Sequence, residues 1–240
     1  MRSFSFSLLL AVAIAAPAAA APPLDPMASA AEMGRQLDAI NAKPLPTGEP
    51  LAGAVAEVLL ADAERRGGCF PLKVKLGPLR PVTLDNFVTQ GILAGQIENG
   101  WLVSADVQNC PAEDPARILV IRAADGKTVN AFYDGRGEGL AWPSLARGAM
   151  PAILRPALAR LALADKRCQP TSLDPVAVRV ETRSADLGPE RFGLRYKGSW
   201  TEVWSFAPCG HRIAVPITFT TDGQGGARWT VAEDRIAYKP

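Results

Sequence analysis

The sequence predicts an α+β fold, in which two related halves form antiparallel β meanders, with N-terminal helices and one helix between the halves. Three observations predict it. Apolar residues recur with helical spacing before residue 67, and they alternate with polar residues from Cys69 onward. Cysteine and tryptophan residues also repeat at a constant offset along the chain.

Residues 1–20 have the pattern of a secretory signal peptide. Arg2 provides a positive charge, residues 8–16 form a short apolar run, and Ala18-Ala19-Ala20 provides small residues for cleavage. We expect cleavage after Ala20, and no cysteine lies there to carry a lipid. The apolar run is too short to span a bilayer, and no later stretch is long and apolar enough to do so. The sequence therefore predicts a periplasmic or secreted protein without a membrane span in its mature chain.

Residues 21–68 are predicted to form an N-terminal helical segment. Ser29 and Glu32 have the spacing of a capping box, and the apolar residues after them share one helical face as far as Asn41. A proline-rich linker over 43–50 precedes a second helix at about 51–66. Gly67-Gly68 is expected to end that helix.

Residues 69–134 are assigned to a first β unit. Residues 70–76 alternate in polarity, as a half-buried strand does. Asn99-Gly100 predicts a hairpin turn between strands near 92–97 and 101–107. Asp125-Gly126 predicts the next turn, between strands near 117–122 and 128–133.

Residues 135–167 are predicted to form a glycine-rich loop and a helix. The segment Gly135-Arg136-Gly137-Glu138-Gly139 lacks the lysine of a P-loop and the spacing of a dinucleotide-binding motif, so we interpret it as a mobile connection. The helix is expected at about 151–166, where Pro156 should kink it or lie in its first turn. The second β unit, 168–240, is predicted to contain strands at 176–181, 192–196, 200–206, 213–220 and 229–231.

A shift of 99 residues relates the two halves. It aligns identical residues without a gap: Cys69 with Cys168, Arg80 with Arg179, Thr83 with Thr182, Trp101 with Trp200 and Cys110 with Cys209. After the second cysteine, a slip of two residues also aligns Asp125-Gly126 with Asp222-Gly223. The sequence therefore predicts an internal duplication.

The four cysteines predict two disulfides, because their even number in an exported chain is typical of oxidised pairs. Equivalent cysteines of a duplicated chain should pair alike, which favours Cys69–Cys110 with Cys168–Cys209. The pairing Cys69–Cys168 with Cys110–Cys209 also respects the symmetry and stays open. The chain contains no Cys-x-x-Cys motif, which argues against a thioredoxin-like activity.

One stretch resembles known sequences. Residues 198–204 (GSWTEVW), then Cys209-Gly210 and residues 215–219 (VPITF), resemble the C-terminal part of exported proteobacterial proteins that have no assigned role. The residues that carry the resemblance span about a tenth of the chain and imply no activity.

Charge and composition exclude several classes of function. The formal net charge is only +2 and the chain has no basic run, so nucleic acid is not expected as a partner. His211 is the single histidine, which excludes a metal site built from several histidines. His211 follows Cys209-Gly210 and is interpreted as a turn residue. Neither a metal ion nor another cofactor is expected.

The candidate binding residues are Trp200, Glu202 and Trp204, which alternate along one strand and so share a face with Phe206. A carboxyl group among aromatic rings suggests a general acid whose flanking rings stack on a sugar. The second carboxylate of such a site could be Asp134, Glu138, Glu181 or Glu190. Two alternatives are an ion pair with Arg195, Arg212 or another nearby cation, and a solvated face.

Taken together, these features favour a non-catalytic binding or interaction protein of the cell envelope, such as an assembly factor or an inhibitor. Its partner would be an envelope protein or a glycan. A hydrolase of cell-envelope glycans with Glu202 as general acid is the alternative. A second carboxylate within about 5–10 Å of Glu202 in a cleft would favour the hydrolase, and a flat or filled face would favour binding.

Overall fold

The computed structural model describes residues 24–111, 114–170 and 173–240. Its described part contains four α-helices and two antiparallel β-sheets, so the predicted α+β class is confirmed. The predicted signal peptide lies outside the described residues.

The two N-terminal helices form where the sequence places them. Helix α1 (Ala30–Asn41) is capped by the Ser29 hydroxyl, which accepts a hydrogen bond from the Glu32 backbone N–H at 3.2 Å. Helix α2 (Gly48–Arg66) begins inside the predicted linker and ends at Gly67. The φ of Gly67 is +61°, a left-handed conformation that glycine adopts at little energetic cost and other residues rarely adopt.

The first sheet is an antiparallel meander in which the long strand β3 pairs with other strands along both of its edges. Strand β4 lies between β3 and β5, while β1 and β2 pair with successive parts of the other edge of β3. A short helix, α3 (Asn86–Leu93), precedes β3. The strands are β1 (Val74–Leu76), β2 (Arg80–Pro81), β3 (Ile97–Val107), β4 (Ala116–Ala123) and β5 (Val129–Arg136).

The predicted hairpin turn at Asn99-Gly100 is wrong, because both residues lie inside β3 next to a register shift. The buried Asn99 side chain accepts hydrogen bonds from the Thr83 hydroxyl and the Gly100 N–H, both at 2.8 Å. A Cβ atom at Gly100 would stand 2.6 Å from the Val88 side chain of α3. The Asn-Gly pair thus allows close packing of α3 on β3. The strand predicted at 92–97 does not form as such, because most of these residues belong to the end of α3 and to the turn that follows it.

Helix α4 (Pro143–Ala164) joins the sheets and starts earlier than predicted. Pro143 occupies the first turn, where a missing N–H costs nothing, and Pro151 and Pro156 are accommodated inside the helix.

The second sheet repeats the meander. Strand β8 pairs with β7 along one edge and with β9 and β10 along the other, and β6 is the outer strand next to β7. The strand predicted at 192–196 is wrong, since only an isolated bridge between Arg191 and Leu194 forms there and Phe192 has a positive φ. The strands are β6 (Ala177–Arg183), β7 (Ser199–Phe206), β8 (Arg212–Thr221), β9 (Ala227–Val231) and β10 (Ala237–Lys239).

The central hairpins of the two sheets have the same register. Trp101 lies opposite Val120 in the first sheet, and Trp200 lies opposite Phe219 in the second. Each residue of the second pair is 99 positions after its counterpart in the first pair, and this holds for six consecutive pairs, from Gly100–Ile121 to Ala105–Ala116. A helix precedes the strands in each case, α2 for the first sheet and α4 for the second.

The core consists of one helix layer on the second sheet and helices on both faces of the first. Residues of α4 pack against the stacked rings of Trp200 and Phe219, whose centroids are 5.2 Å apart. Helices α1 and α3 cover one face of the first sheet, and α2 covers the other. Each fully buried aliphatic or aromatic side chain stabilises the fold by about 1.5–3 kcal/mol.

Both sheets carry a disulfide, and the pairing favoured by the sequence is confirmed. Cys69 binds Cys110 and Cys168 binds Cys209, with Cα–Cα distances of 5.7 and 5.9 Å. On the chain-entropy model, a loop of this length contributes about 4 kcal/mol of stability. No described cysteine is free. The two bridges are consistent with an oxidising compartment outside the cytoplasm.

The two Asp-Gly turns also form, at equivalent places in the sheets. The Asp125 carboxylate accepts the backbone N–H groups of Lys127 and Thr128, and Asp222 accepts those of Gln224 and Gly226. The hydroxyl and the N–H of Thr128 are the main donors that lower the pKa of Asp125 to about 2.

Candidate functional site

Glu202 is buried completely on strand β7, between Trp200 and Trp204, which are also buried. Side chains alternate along a strand, so all three point to the same side of the second sheet. Helix α4 and the segment before it, residues 137–141, which we call the linker, pack on this side. The face that the sequence proposes as a binding surface is therefore filled by the protein itself.

Four neutral N–H donors bind the Glu202 carboxylate. Its Oε1 accepts hydrogen bonds from the backbone N–H of Leu140 at 2.6 Å, from that of Ala141 at 2.8 Å and from the Trp200 indole at 2.9 Å. Its Oε2 accepts one from the Trp204 indole at 2.9 Å. A carboxylate with this many donors is satisfied without a salt bridge. Through its hydrogen bonds to Leu140 and Ala141, Glu202 thus holds the linker against strand β7.

The ion pair of Glu202 with Arg195 or Arg212 does not form among the described residues. Arg195 lies near Glu190 instead, with its Nη2 3.7 Å from Oε2. The cation that comes close to Glu202 is Arg117, since a Cβ atom at Gly139 would stand 2.5 Å from Arg117 Nη1 and 3.3 Å from Glu202 Oε2. Only glycine at position 139 lets the two side chains approach the linker in this way.

Arg117 belongs to the first sheet and connects it to the same linker. Its Nη2 donates to Asp134 Oδ2 at 2.7 Å and to the Ala141 carbonyl at 2.9 Å. Burial raises the pKa of Asp134, and the charges of Arg117 and Arg147 oppose this rise. The segment 137–141 contains the last three residues of the loop that is predicted to be mobile, and it is bound by groups from both sheets.

The carboxylates considered as partners of Glu202 serve different neighbours. Asp134 is buried against Arg117, whereas Glu138 is exposed. Glu181 binds Arg235 at 2.7 Å, and Glu190 binds Arg80 at 2.8 Å. None of these contacts places a second carboxylate with Glu202 in an open site.

His211 follows a short 3-10 helix (Pro208–Gly210), as expected of a turn residue. Its Nε2 lies 3.2 Å from Asp165 Oδ2. Its ring lies 5.3 Å from that of Tyr238. The pair joins the end of α4 to the second sheet and lies beside the Cys168–Cys209 disulfide.

An open concave surface lies between the two sheets, and we call it the inter-sheet cleft. It has two parts, of about 290 and 550 Å³, which share Pro115, Glu138 and Arg183. The smaller part is lined mainly by β2, β3 and the glycine-rich linker, and the larger part by residues 179–183 of β6 with Asp114 opposite. No aromatic side chain lines the cleft in the part of the chain that the structure describes.

The smaller part of the cleft is basic. Arg80, Arg117 and Arg183 line it, together with a single acidic residue, Glu138. Arg195 lies close enough to Arg80 and Arg183 to feel their charges. Burial of Arg195 and the positive charges of these two residues lower the pKa of Arg195, whereas the negative charge of Glu190 opposes this shift. Two guanidinium groups, those of Arg80 and Arg195, therefore share the carboxylate of Glu190.

Several donors in the cleft remain available. Neither Arg179 nor Arg183 makes an ion pair or a side-chain hydrogen bond within the described ranges, and both are exposed. The Arg117 side chain is only 8% exposed, and its Nε, which has no hydrogen-bond partner there, is buried and not accessible to a ligand. Guanidinium groups prefer carboxylate or phosphate oxygens as acceptors, so the smaller part of the cleft is suited to an anionic ligand. The larger part also contains Asp114, Glu138 and Glu181 beside Arg179 and Arg183.

A second group of arginines is bound by a shared buried carboxylate. Asp62 of α2 accepts hydrogen bonds from Arg65, Arg66 and Arg136, each at 3.0 Å. Burial, followed by the charge of Asp62, raises the pKa of the adjacent Tyr133 to about 12. This cluster joins α2 to β5 and has a structural role.

The sequence analysis did not identify the cleft, although one signal pointed to it. Arg80 and Arg179 are equivalent under the shift of 99 residues, and the structure places them on β2 and β6, where each lines the cleft. Arg117 and Arg183 carry no comparable sequence signal.

Comparison with protein-family models, with curated proteins and with solved structures finds no match for this chain. Among the described residues, no group of three or more His, Cys, Asp and Glu side chains is placed to hold a metal ion. No helix in the same ranges is long and apolar enough to cross a membrane.

Proposed function

We propose that this chain is an exported, disulfide-bonded, non-catalytic binding protein of the cell envelope, and that it binds a carboxylate-bearing partner in the inter-sheet cleft. The observation that carries the proposal is the set of guanidinium groups at the cleft that lack a carboxylate of their own. Arg179 and Arg183 are exposed without a partner, and Arg80 shares Glu190 with Arg195. The signal-peptide pattern and the two disulfides support export to the periplasm or the exterior.

The candidate residues Trp200, Glu202 and Trp204 contribute to this function indirectly. They hold Leu140 and Ala141, and so fix the linker that forms one wall of the cleft. Glu202 is closed off from solvent and all its hydrogen bonds go to the protein, so no observation favours it as the general acid of a glycan hydrolase.

We also infer that the two sheets arose by internal duplication. The shared register of the central hairpins, the equal cysteine separation of 41 residues and the equivalent Asp-Gly turns support this inference. On this view β2 and β6 are corresponding outer strands beside β3 and β7, and Arg80 and Arg179 on them both line the cleft. The register of these outer strands differs, since Arg80 lies opposite Leu102 but Arg179 lies opposite Val203 and not Thr201. Glu202, which binds the linker, stands where the first half has Val103.

The proposal predicts binding that depends on the cleft arginines. The exported protein is titrated by calorimetry with a glutamate-rich peptide and with an oligogalacturonate, both of which carry carboxylates. We expect at least one to bind, with an affinity that falls as salt is added. The double change Arg179→Glu with Arg183→Glu should weaken binding by at least about tenfold, because attraction becomes repulsion.

Arg160→Glu is the matched control, since Arg160 is exposed on α4 and lines neither part of the cleft. It should change the affinity by less than about twofold. Circular dichroism checks that the variants are folded. No binding of either ligand, or an equal loss in the control variant, would contradict the proposal.

A further inference from the structure

We propose that the partner is an acidic segment of another protein, which binds in an extended conformation as an added strand along the open edge of β6. This inference rests on the proposed function and specifies its ligand.

The first observation is that β6 has a free edge that faces the cleft. β6 pairs with β7 on one side and is the last strand of the second sheet. All five residues from 179 to 183 line the larger part of the cleft. In the described ranges, the backbone of these five residues forms no hydrogen bond to a segment outside the second sheet. A strand edge of this kind presents N–H and C=O groups that another chain can pair with.

The second observation is that the protein itself starts such a pairing. Gly137 forms a parallel bridge with Val178, and the Glu138 N–H donates to the Val178 carbonyl at 2.9 Å. A Cβ atom at Gly137 would stand 2.1 Å from the Val178 oxygen, so only glycine allows this approach. This pairing does not continue beyond Glu138, because the N–H groups of Leu140 and Ala141 bind Glu202 instead of β6.

The backbone of Val180 is therefore left for a ligand. Because strand hydrogen bonding alternates, the N–H and C=O groups of Val180 point to the same side as those of Val178, into the cleft. The register shift that follows Val180 in the pairing with β7 limits the regular edge to this part of the strand. A bound segment would continue the pairing that Gly137 and Glu138 begin.

The third observation concerns the chemistry of the cleft walls. Arg179 and Arg183 lie on the same strand as Val180 and are exposed without carboxylate partners. Glu181, between them, is bound to Arg235, and Asp114 and Glu138 also line this part of the cleft. Alternate side chains of an added strand point to the same face, so glutamate or aspartate at every second position would meet these guanidinium groups. The cleft has no aromatic lining within the described residues on which a sugar ring could stack. A peptide therefore fits the cleft better than a glycan does.

The test uses a short synthetic peptide that alternates glutamate and threonine, together with two N-methylated versions. In one version the amides of the glutamates are methylated, and in the other the amides of the threonines. Because an added strand uses the N–H groups of alternate residues, we expect one methylated peptide to lose at least about tenfold in affinity. The other should bind within about threefold of the unmodified peptide. The exchange of the Val180 amide with deuterium should also slow in the complex.

The outcomes separate this inference from the proposed function. If both methylated peptides bind like the unmodified one, or both lose affinity equally, strand addition is wrong, while dependence on Arg179 and Arg183 would still support the anion-binding cleft. If the oligogalacturonate displaces the peptide at lower concentrations, the partner is a glycan and the inference is overturned. If none of the ligands depends on the two arginines, the proposed function fails as well.

Discussion

Replacing Glu202 with valine should destabilise the protein by about 4 kcal/mol or more, even though valine is the residue at the equivalent position of the first half. The change leaves the N–H groups of Leu140, Ala141, Trp200 and Trp204 without acceptors in a dry interior. Each buried donor without a partner costs about 1–3 kcal/mol. Removing a buried charge offsets part of this loss but not all of it, because the carboxylate is fully hydrogen-bonded. Urea unfolding measures the effect.

Glu202→Gln should lower the free energy of unfolding by less, about 1–3 kcal/mol, because three of the four donors bind Oε1 and only one binds Oε2. An amide oxygen at the Oε1 position keeps three of the four hydrogen bonds, while the amide nitrogen at the Oε2 position faces the indole N–H of Trp204.

Glu64→Gln is the control for both variants, since Glu64 is exposed on α2, and it should change the stability by less than about 0.5 kcal/mol. Unchanged unfolding of Glu202→Val would contradict the structural role of Glu202. Loss of a cell-wall-clearing activity in a stable Glu202→Gln variant would support the hydrolase.

Replacing Asp85 with alanine should destabilise the protein by about 3 kcal/mol, because one buried carboxylate caps two helices. Asp85 accepts the Phe87 N–H at the start of α3, at 3.1 Å. It also accepts the N–H and the hydroxyl of Ser144 at the start of α4, at 2.7 and 2.8 Å. Helix α4 has no side-chain cap from its own N-cap residue, so Asp85 supplies the cap from the first half of the chain.

Asp85→Asn tests the geometry of this double cap. An amide oxygen at the Oδ1 position keeps the bonds to Phe87 and to the Ser144 hydroxyl, so the expected loss is about 1–2 kcal/mol. Asp186→Ala is the surface control, because Asp186 is exposed. Thermal unfolding in which all three variants lose the same stability would contradict the proposed double cap.

The sequence predicted the features that are local or periodic. The cap at Ser29, the stop at Gly67 and the Asp-Gly turns form through contacts within a few residues, so short motifs are enough to identify them. The disulfide pairing followed from the equal spacing of the cysteines. The strands 117–122 and 213–220 were found because their apolar runs exceed what a surface loop would carry.

The features that the sequence missed depend on contacts between distant segments. Asn99-Gly100 has the composition of a turn, but its role is set by the packing of α3 and by Asn41, neither of which a local pattern shows. The partners of Glu202 were missed for the same reason, because backbone N–H groups of the linker have no signature in the sequence. The inter-sheet cleft arises only when Arg117 and Arg183, from different sheets, are brought to one surface.

The most direct test of the anion-binding cleft is a map of backbone amide chemical shifts in the isotope-labelled exported protein during titration with the glutamate-rich peptide. We predict that the shifted amides cluster at residues 137–140 and 179–183, and that Arg183→Glu removes the changes. Shifts centred instead on the arginines around Asp62, or scattered over the surface without saturation, would contradict the assignment of the binding site to the inter-sheet cleft.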